Sequence, residues 1–179
     1  MDLFGQTTER PTEIERDAVL SDCGLYRYLL RRVWDRTKPI ALVCMLNPST
    51  ADAYVDDATI RSLIRLFTAL GYGGFEVVNL YAWRATDPKE LAKAADPVGP
   101  RNDAILEAAI GRCDVIVCAW GAHSMAAGRA QRVYEIASSR RPAVFCFGTT
   151  KAGHPKHPLY IKTGTTLEVW RPTHHAIHV

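Results

Sequence analysis

The feature that most constrains the fold is an alternation of short apolar runs with helical patterns between residues 40 and 147. The apolar runs have the length of buried strands and cover residues 40–46, 75–81, 114–119 and 143–147. The segments between them carry helical spacing or helix-start signals and cover residues 57–70, 88–95, 102–111 and 126–139. Such repetition predicts a parallel sheet covered by helices on both faces. We therefore expect an α/β protein, a three-layer α/β/α sandwich with a mainly parallel central sheet.

The chain of 179 residues is long enough for one domain of ordinary size. We predict a loosely ordered leader over residues 1–22, a single α/β domain over residues 23–172 and a tail over residues 173–179. Residues 26–34 are rich in aromatic and branched side chains and predict a further strand, which its basic residues favour at a sheet edge. Residues 167–170 predict a short last strand.

Composition excludes several classes of protein. Hydrophobic residues make up 47% of the chain and charged residues 23%, so wholesale disorder is not expected. The net charge of +3 permits a nucleic-acid partner without requiring one. The five cysteines include no Cys-x-x-Cys pair, which argues against a disulfide framework, a zinc ribbon or an iron–sulfur cluster. With no signal peptide and no apolar run of membrane-spanning length, we expect a cytoplasmic protein without membrane contact.

The first apolar run ends abruptly in the turn Asn47-Pro48-Ser49-Thr50. Ligands of parallel α/β sheets bind just beyond the carboxyl ends of the strands. Pro48 fixes its own φ and pushes Asn47 toward extended geometry, so the Asn47 amide is held rigidly enough to orient a water or a substrate. The structural alternative is an ordinary strand-to-helix turn in which Ser49 or Thr50 only caps the helix.

Polar side chains collect after each apolar run rather than spreading evenly along the chain. They are Asn47, Ser49 and Asp52 after the first run; Asn79, Tyr81 and Arg84 after the second; Trp120, His123 and Ser124 after the third; and Thr149, Thr150, Lys151, His154 and His157 after the fourth. In a parallel sheet these ends share one rim, so we expect one cleft lined by amide, imidazole, aromatic and cationic groups. The alternative is that loops are polar in any case.

Several of these residues also have structural interpretations. Trp120 either stacks a planar ligand or belongs to the core, His123 either binds or caps a helix, and Arg84 either binds or forms a surface ion pair. His154 and His157 lie three apart in a loop broken by prolines, which is a weak metal pattern, so we predict no metal. Neither a dinucleotide fingerprint nor a phosphate loop is present, so we predict no cofactor.

The order of the motifs resembles that of the uracil-DNA glycosylase superfamily over roughly residues 40–160. Those proteins open with a strand ending in Gly-x-(Asn, Asp or Glu)-Pro-Gly, with Asn in the thymine/mismatch-specific branch, and here the loop is Met45-Leu46-Asn47-Pro48-Ser49. A middle strand that runs into a polar loop is similar to residues 77–84, and a later strand ending in glycine is similar to residues 115–121. The family's closing His-Pro-Ser loop is similar to His157-Pro158-Leu159. The chain is also similar to a bacterial and phage family of uncharacterised domains with a Leu-Asn-Pro-Ser-Thr-Ala-Asp signature.

The resemblance implies a uracil-DNA-glycosylase-like fold and a monofunctional N-glycosylase that flips a base out of DNA and leaves an abasic site. It implies Asn47 as the residue that positions water, His157 as the donor to the departing base and Asp52 as a further catalytic group. The implied substrate-binding residues are Ser49, Asn79, Tyr81, Trp120 and His123. The implied phosphate contacts are Arg84, Lys151 and Lys156.

The departures from the family motif affect substrate choice. Met45 and Ser49 replace both glycines of the first motif, and Leu159 replaces the serine of the last. We therefore expect a modified pyrimidine, hydroxymethylated or glycosylated, to be preferred over uracil, which would suit anti-phage defence. The expected partner is duplex or single-stranded modified DNA, and the expected state is a monomer. The alternatives are a hydrolase or transferase of free modified nucleosides or nucleotides, and a non-catalytic nucleic-acid binding module.

Overall fold

The structure, a computed structural model, describes residues 13–172. The predicted tail over residues 173–179 and the first twelve residues of the predicted leader lie outside the described residues. The strands are β1 (Glu15–Leu20), β2 (Arg27–Val33), β3 (Ile40–Met45), β4 (Gly74–Asn79), β5 (Val115–Cys118), β6 (Phe145–Cys146) and β7 (Glu168–Val169). The helices are α1 (Ala58–Ala69), α2 (Pro88–Leu91), α3 (Asn102–Arg112) and α4 (Ala126–Arg140), followed by a short 3-10 turn over Pro158–Tyr160.

All seven strands join one sheet in the order β1-β2-β4-β3-β5-β6-β7. The four central strands β4, β3, β5 and β6 are parallel to one another, which confirms the predicted α/β class. The pairs β1–β2, β2–β4 and β6–β7 are antiparallel, so the sheet is mixed, with a parallel centre and antiparallel margins. The carboxyl ends of the parallel strands therefore still meet at one rim.

The prediction of a loose leader is wrong for its last part, because residues 15–20 form β1 and pair with β2 along its length. The first half of β1 is exposed and charged, so it lacks the apolar alternation by which a strand is recognised. The predicted edge position of the second strand is also wrong, since β2 lies between β1 and β4. Two of its arginines form ion pairs instead: Arg31 with Glu15 at the surface, and the buried Arg32 with Asp56.

Helices cover both faces of the sheet. Successive strand residues point to opposite faces, and Val43 of β3 packs in a cluster with Leu63 and Phe67 of α1. Its neighbour Leu42 packs in the opposite cluster with Leu106 of α3, to which α4 also contributes. The central strands are therefore buried on both sides, as three layers require.

Helix α1 begins and ends where local signals predict. The Asp57 side chain accepts a hydrogen bond from the Ile60 backbone N–H at 2.9 Å and caps the helix. Gly71 follows the last turn with φ of +79°, a conformation that favours glycine. This fixed start holds the first turn of α1 beside the loop that follows β3.

Between residues 13 and 172, no helix is both long enough and apolar enough to cross a membrane.

Candidate functional site

A cleft of about 510 Å³ lies beyond the carboxyl ends of the central strands. Five of the predicted site residues line it: Asn47, Ser49, Trp120, His123 and His157. The loops after β3, β5 and β6 supply these side chains, so the predicted convergence of strand-end loops on one cleft is confirmed for them. We call this space the cleft.

A smaller recess of about 60 Å³ adjoins the cleft, with which it shares Met45, Asn47, Ser49, Thr59 and His157 as lining residues. Its remaining lining residues are Arg27, Asp57, Ile60 and Asn79. The recess is therefore the inner end of the same site, and the predicted residue Asn79 belongs to it rather than to the open cleft.

The orientation of the Asn47 side chain is fixed by two backbone carbonyls. Its Nδ2 donates to the Ala85 oxygen at 2.8 Å and to the Pro48 oxygen at 3.1 Å. Only the amide nitrogen can donate to carbonyls, so the oxygen Oδ1 must occupy the other position. No residue that the structure describes donates to Oδ1. The Ala85 N–H in turn donates to the Pro48 oxygen at 2.9 Å, which locks the loops after β3 and β4 together.

His157 is held as a neutral ring with a defined tautomer. Its Nδ1 accepts the Leu159 backbone N–H at 3.3 Å, so the neutral ring carries its proton on Nε2. Burial lowers the pKa of His157 below its ordinary value, against the opposing effect of the Asp57 charge. The site thus presents a neutral N–H donor rather than an imidazolium at neutral pH.

Two neighbouring elements fix the backbone around His157. The Gly121 N–H donates to the Pro155 oxygen at 2.9 Å, and Gly121 has φ of +75°, which a side chain would strain. From α1, the Ser62 hydroxyl donates to the Pro158 oxygen at 2.9 Å. The position of His157 is therefore fixed by hydrogen bonds from the loop after β5 and from α1 to the backbone on either side of it.

Trp120 and His123 lie on the wall of the cleft after β5. Trp120 is 3% exposed and packs edge-to-face on Trp170, with ring centroids 5.1 Å apart. It therefore belongs to the core and lines the cleft at once, so the two alternatives for this residue are not exclusive. The His123 Nδ1 accepts the Met125 N–H at 3.3 Å, so His123 lines the cleft and also makes a local turn contact.

Some predicted site residues do not line the cleft or the recess. The Asp52 carboxylate accepts the backbone N–H groups of Tyr54 and Val55, which lowers its pKa and makes it a turn residue. The Tyr81 hydroxyl donates to the Met125 oxygen at 2.7 Å and joins β4 to α4. Catalysis by Asp52 and direct substrate binding by Tyr81 are therefore not favoured by the geometry.

The three predicted phosphate contacts also lie outside the lining of the cleft. Arg84 is partly buried and donates to the Gly24 oxygen at 3.3 Å. Lys151 and Lys156 are exposed on the loop that leads to His157. Lys156 directly precedes His157, so it stands at the border of the cleft rather than within it.

Sequence reasoning missed Arg27, Asp57, Thr59 and Tyr160 as site residues. Arg27 had a usable signal, since it is a charged residue within the run Tyr26–Leu29 of otherwise apolar strand residues. Asp57 stands at the start of a helical pattern and has only the signal of a helix cap, which does not mark it as a site residue. Thr59 and Tyr160 had no signal, because nothing in their local sequence sets them apart from other surface positions.

Buried arginines hold the loop between β3 and α1. The Arg27 Nη1 donates to the Ala51 oxygen, and the Arg32 Nη2 donates to the Asp52 oxygen at 2.6 Å. The Arg32 Nε also pairs with Asp56 at 2.8 Å. These contacts fix the loop that carries Ser49 and so define the shape of the recess.

Within residues 13–172 no group of three or more His, Cys, Asp and Glu side chains is arranged to hold a metal ion. The two histidines of the closing loop differ in their surroundings. His154 is buried and its Nδ1 has no partner, whereas the Nδ1 of His157 accepts the Leu159 N–H. His174, His175 and His178 of the tail lie outside the described residues.

Comparison with known proteins identifies a family but no characterised relative. No curated protein and no solved structure matches the chain. Residues 27–159, from Arg27 in the recess to Leu159 at the cleft, match the family described as "Protein of unknown function (DUF1643)". The matched residues make up more than half of the chain and include almost all of the site. The chain therefore belongs to the DUF1643 family.

Proposed function

We propose that the protein is a DNA glycosylase that flips a modified pyrimidine out of DNA, hydrolyses its N-glycosidic bond and leaves an abasic site. The observation that carries the proposal is the placement of two groups on one cleft: an oriented amide oxygen on Asn47 and a neutral imidazole N–H donor on His157. Hydrolysis of an N-glycosidic bond needs both a positioned water and a stabilised leaving base.

Asn47 supplies the first requirement. Its free Oδ1 accepts a hydrogen bond from a water and orients that water toward the sugar C1′. In the reaction the bond between C1′ and the base nitrogen breaks, and its electron pair leaves with the base. The water oxygen bonds to C1′, and the proton that it loses passes to the departing base anion, which leaves as the neutral base. The fixed amide means that this oxygen needs no reorganisation during the reaction.

His157 supplies the second requirement. As the base leaves, negative charge develops on its ring and exocyclic oxygen. A neutral Nε2–H donor placed on the same cleft stabilises that charge, and its lowered pKa keeps the proton arrangement constant at neutral pH.

The mouth of the cleft suits an extrahelical base. Leu159 is 41% exposed and Tyr160 is 82% exposed, and both line the cleft. Exposed apolar side chains beside a base pocket are placed to enter the space that a flipped base vacates. Trp120, on the loop after β5, offers an aromatic surface to the same cleft.

The preference for a modified base rests on Met45 and Ser49, which line both the cleft and the recess. Where the uracil-DNA glycosylase motif has glycines, these side chains alter the pocket and add a hydroxyl. The cleft volume of about 510 Å³ leaves room for substituents on the base.

We also propose that the fold is similar to that of the uracil-DNA glycosylases. The support is that β3, β4, β5 and the closing loop carry the motifs in the order that the resemblance requires.

The test is incubation with a panel of otherwise identical oligonucleotides, followed by alkali cleavage at abasic sites. The panel carries unmodified cytosine, uracil, 5-hydroxymethylcytosine or glucosylated 5-hydroxymethylcytosine, each as duplex and as single strand. We expect strand cleavage with a modified base and little with uracil. Uracil excision as fast as that of every modified base would refute the proposed preference, and no excision at all would refute the activity.

A second candidate is hydrolysis of free modified nucleosides. It is favoured by the absence of lysine and arginine from the lining of the cleft among residues 13–172, because a site for a nucleoside needs no phosphate contact. Parallel incubation with the matching free nucleosides, read by chromatography, separates the two activities. Tight DNA binding without release of any base would instead indicate a non-catalytic binding module.

A further inference from the structure

The guanidinium of Arg27 is buried with part of its hydrogen-bonding capacity unused. Arg27 is 3% exposed, its Nη1 donates to Ala51, and its Nε has no partner. Among the described residues no carboxylate forms an ion pair with it. By contrast, Arg112 uses the same Nε and Nη2 edge to hold both oxygens of Glu76, at 3.2 and 2.6 Å. The equivalent two-donor edge of Arg27 is left without such a partner.

Asn79 lines the same recess in a similar state. It is 1% exposed, and both its Nδ2 and its Oδ1 are buried without a partner. A buried polar group without a hydrogen bond is costly, and here an amide and a guanidinium share a recess of only about 60 Å³. Two such groups lining one recess that adjoins the cleft indicate that a ligand supplies the missing partners.

The charges around the recess decide what kind of ligand fits. Burial lowers the pKa of Arg27 to about 10, so it remains a cation at neutral pH, and the nearby charges of Arg84 and Arg32 act in the same direction. Asp57 and Asp52 oppose them, and the Asp57 carboxylate itself lines the recess. A free anion would gain from Arg27 and be repelled by Asp57. A neutral ligand with adjacent acceptors and a donor gains from both.

We propose that the recess reads the hydrogen-bonding edge of a cytosine-type base, an inference that rests on the proposed glycosylase function and narrows its substrate to modified cytosines. Cytosine presents two adjacent acceptors, O2 and N3, and an exocyclic amine. The two-donor edge of Arg27 matches the acceptors, and the oxygens of Asp57 and Asn79 accept from the amine. Uracil has the same shape but carries a hydrogen on N3, so a donor would face the Arg27 donors. It also has no amine to donate to Asp57 and Asn79.

The test measures binding of free bases to the full-length protein by NMR titration, which does not depend on excision. We expect 5-hydroxymethylcytosine to bind on the order of tenfold more tightly than 5-hydroxymethyluracil, the gain typical of one bidentate pair. Arg27→Lys keeps the charge but loses the two-donor edge and should remove most of that difference. Arg36→Lys is the matched control, because Arg36 is 70% exposed and pairs with Glu15. Equal binding of the two bases, or no detectable binding of either, would overturn the inference.

Asp57→Asn provides a second variant that keeps the helix cap, since Asn caps as well as Asp. We expect it to weaken binding of 5-hydroxymethylcytosine several-fold and to leave inorganic phosphate without measurable affinity. Stronger phosphate binding with unchanged cytosine binding would show that the recess is an anion site. If the cytosine preference of free-base binding holds while no DNA is cleaved, the inference stands and the glycosylase function fails. If excision occurs and Arg27→Lys leaves the base preference unchanged, the glycosylase function stands and the inference about the recess fails.

Discussion

Asn47 illustrates how two backbone carbonyls turn a common side chain into a directed acceptor. We expect Asn47→Ala to lower excision on the order of 10²-fold, because the attacking water loses its orienting oxygen. It should also cost about 1 kcal/mol of unfolding free energy, because the bonds to Ala85 and Pro48 are lost. Single-turnover kinetics and chemical denaturation measure the two effects. Thr50→Ala, an exposed position on the same loop, is the control and should change turnover less than about twofold. Wild-type turnover in Asn47→Ala would make Asn47 a purely structural residue.

The lowered pKa of His157 gives a prediction for pH. Because the folded-state pKa lies below the ordinary value of about 6.5, the unfolded chain binds the proton more readily. The contribution of this group to stability is therefore present above that value and is lost as the pH falls below it. Excision should decline in the same acidic range, because protonation of Nδ1 breaks the bond from Leu159. NMR titration of the ring measures the midpoint, and a midpoint above 6.5 would contradict the structure.

The sequence predicts the site residues that belong to local motifs, and it does not predict those that tertiary contacts bring to the site. Asn47 and His157 follow from the turns that carry them, and both line the cleft. Asp52 was expected there for its position after the same turn, yet its carboxylate satisfies backbone N–H groups of its own loop. Arg27 reaches the recess from β2, a strand that precedes β3 in the chain but lies beyond β4 in the sheet, and no local pattern encodes that placement.

Helix α1 links the stability of an element to the geometry of the site, because its cap, Asp57, also lines the recess. Asp57→Ala should cost about 1 kcal/mol of unfolding free energy, since the Ile60 N–H loses its acceptor. Asp57→Asn, which retains a capping oxygen, should differ from wild type by only a few tenths of that amount. Chemical denaturation with matched m-values measures both. Equal destabilisation in the two variants would show that charge, rather than capping, is what matters.

The elements differ in how well the sequence predicts them. Helix α1 was predictable because its apolar spacing, its Asp57 cap and its terminal Gly71 all agree. Strand β1 was not, because its first half is exposed and its pairing with β2 is a contact between chain segments rather than a local preference. Strands β6 and β7 have two residues each and are shorter than the strands predicted over residues 143–147 and 167–170.

For the whole molecule, the mild net charge of +3 means that the proposed DNA contact would be limited to a few phosphates around the cleft. We expect Lys156→Ala to weaken DNA binding at low salt and to reduce the slope of log affinity against log salt by about 0.9, the effect of one lost phosphate contact. Lys38→Ala is the control, since Lys38 lies two residues before β3, at the opposite end of that strand from the cleft. Fluorescence anisotropy across a salt series measures both. Identical slopes in the two variants would remove Lys156 from the interface.

The overall architecture could be predicted at its centre and not at its margins. Alternating strands and helices specify parallel strands, and β4, β3, β5 and β6 are parallel to one another. The antiparallel additions at both edges depend on segments with weak apolar patterns, so their direction could not be predicted from composition.

The buried amide of Asn79, which has no hydrogen-bond partner, makes this position a target of selection for thermal stability. A buried amide without partners reduces stability, so replacement by an apolar residue of similar volume, as in Asn79→Leu, should raise the melting temperature. Laboratory selection for thermostability alone should therefore reach this position early and remove the proposed ligand recognition. Selection that demands activity at high temperature should leave Asn79 unchanged and accumulate its stabilising substitutions elsewhere.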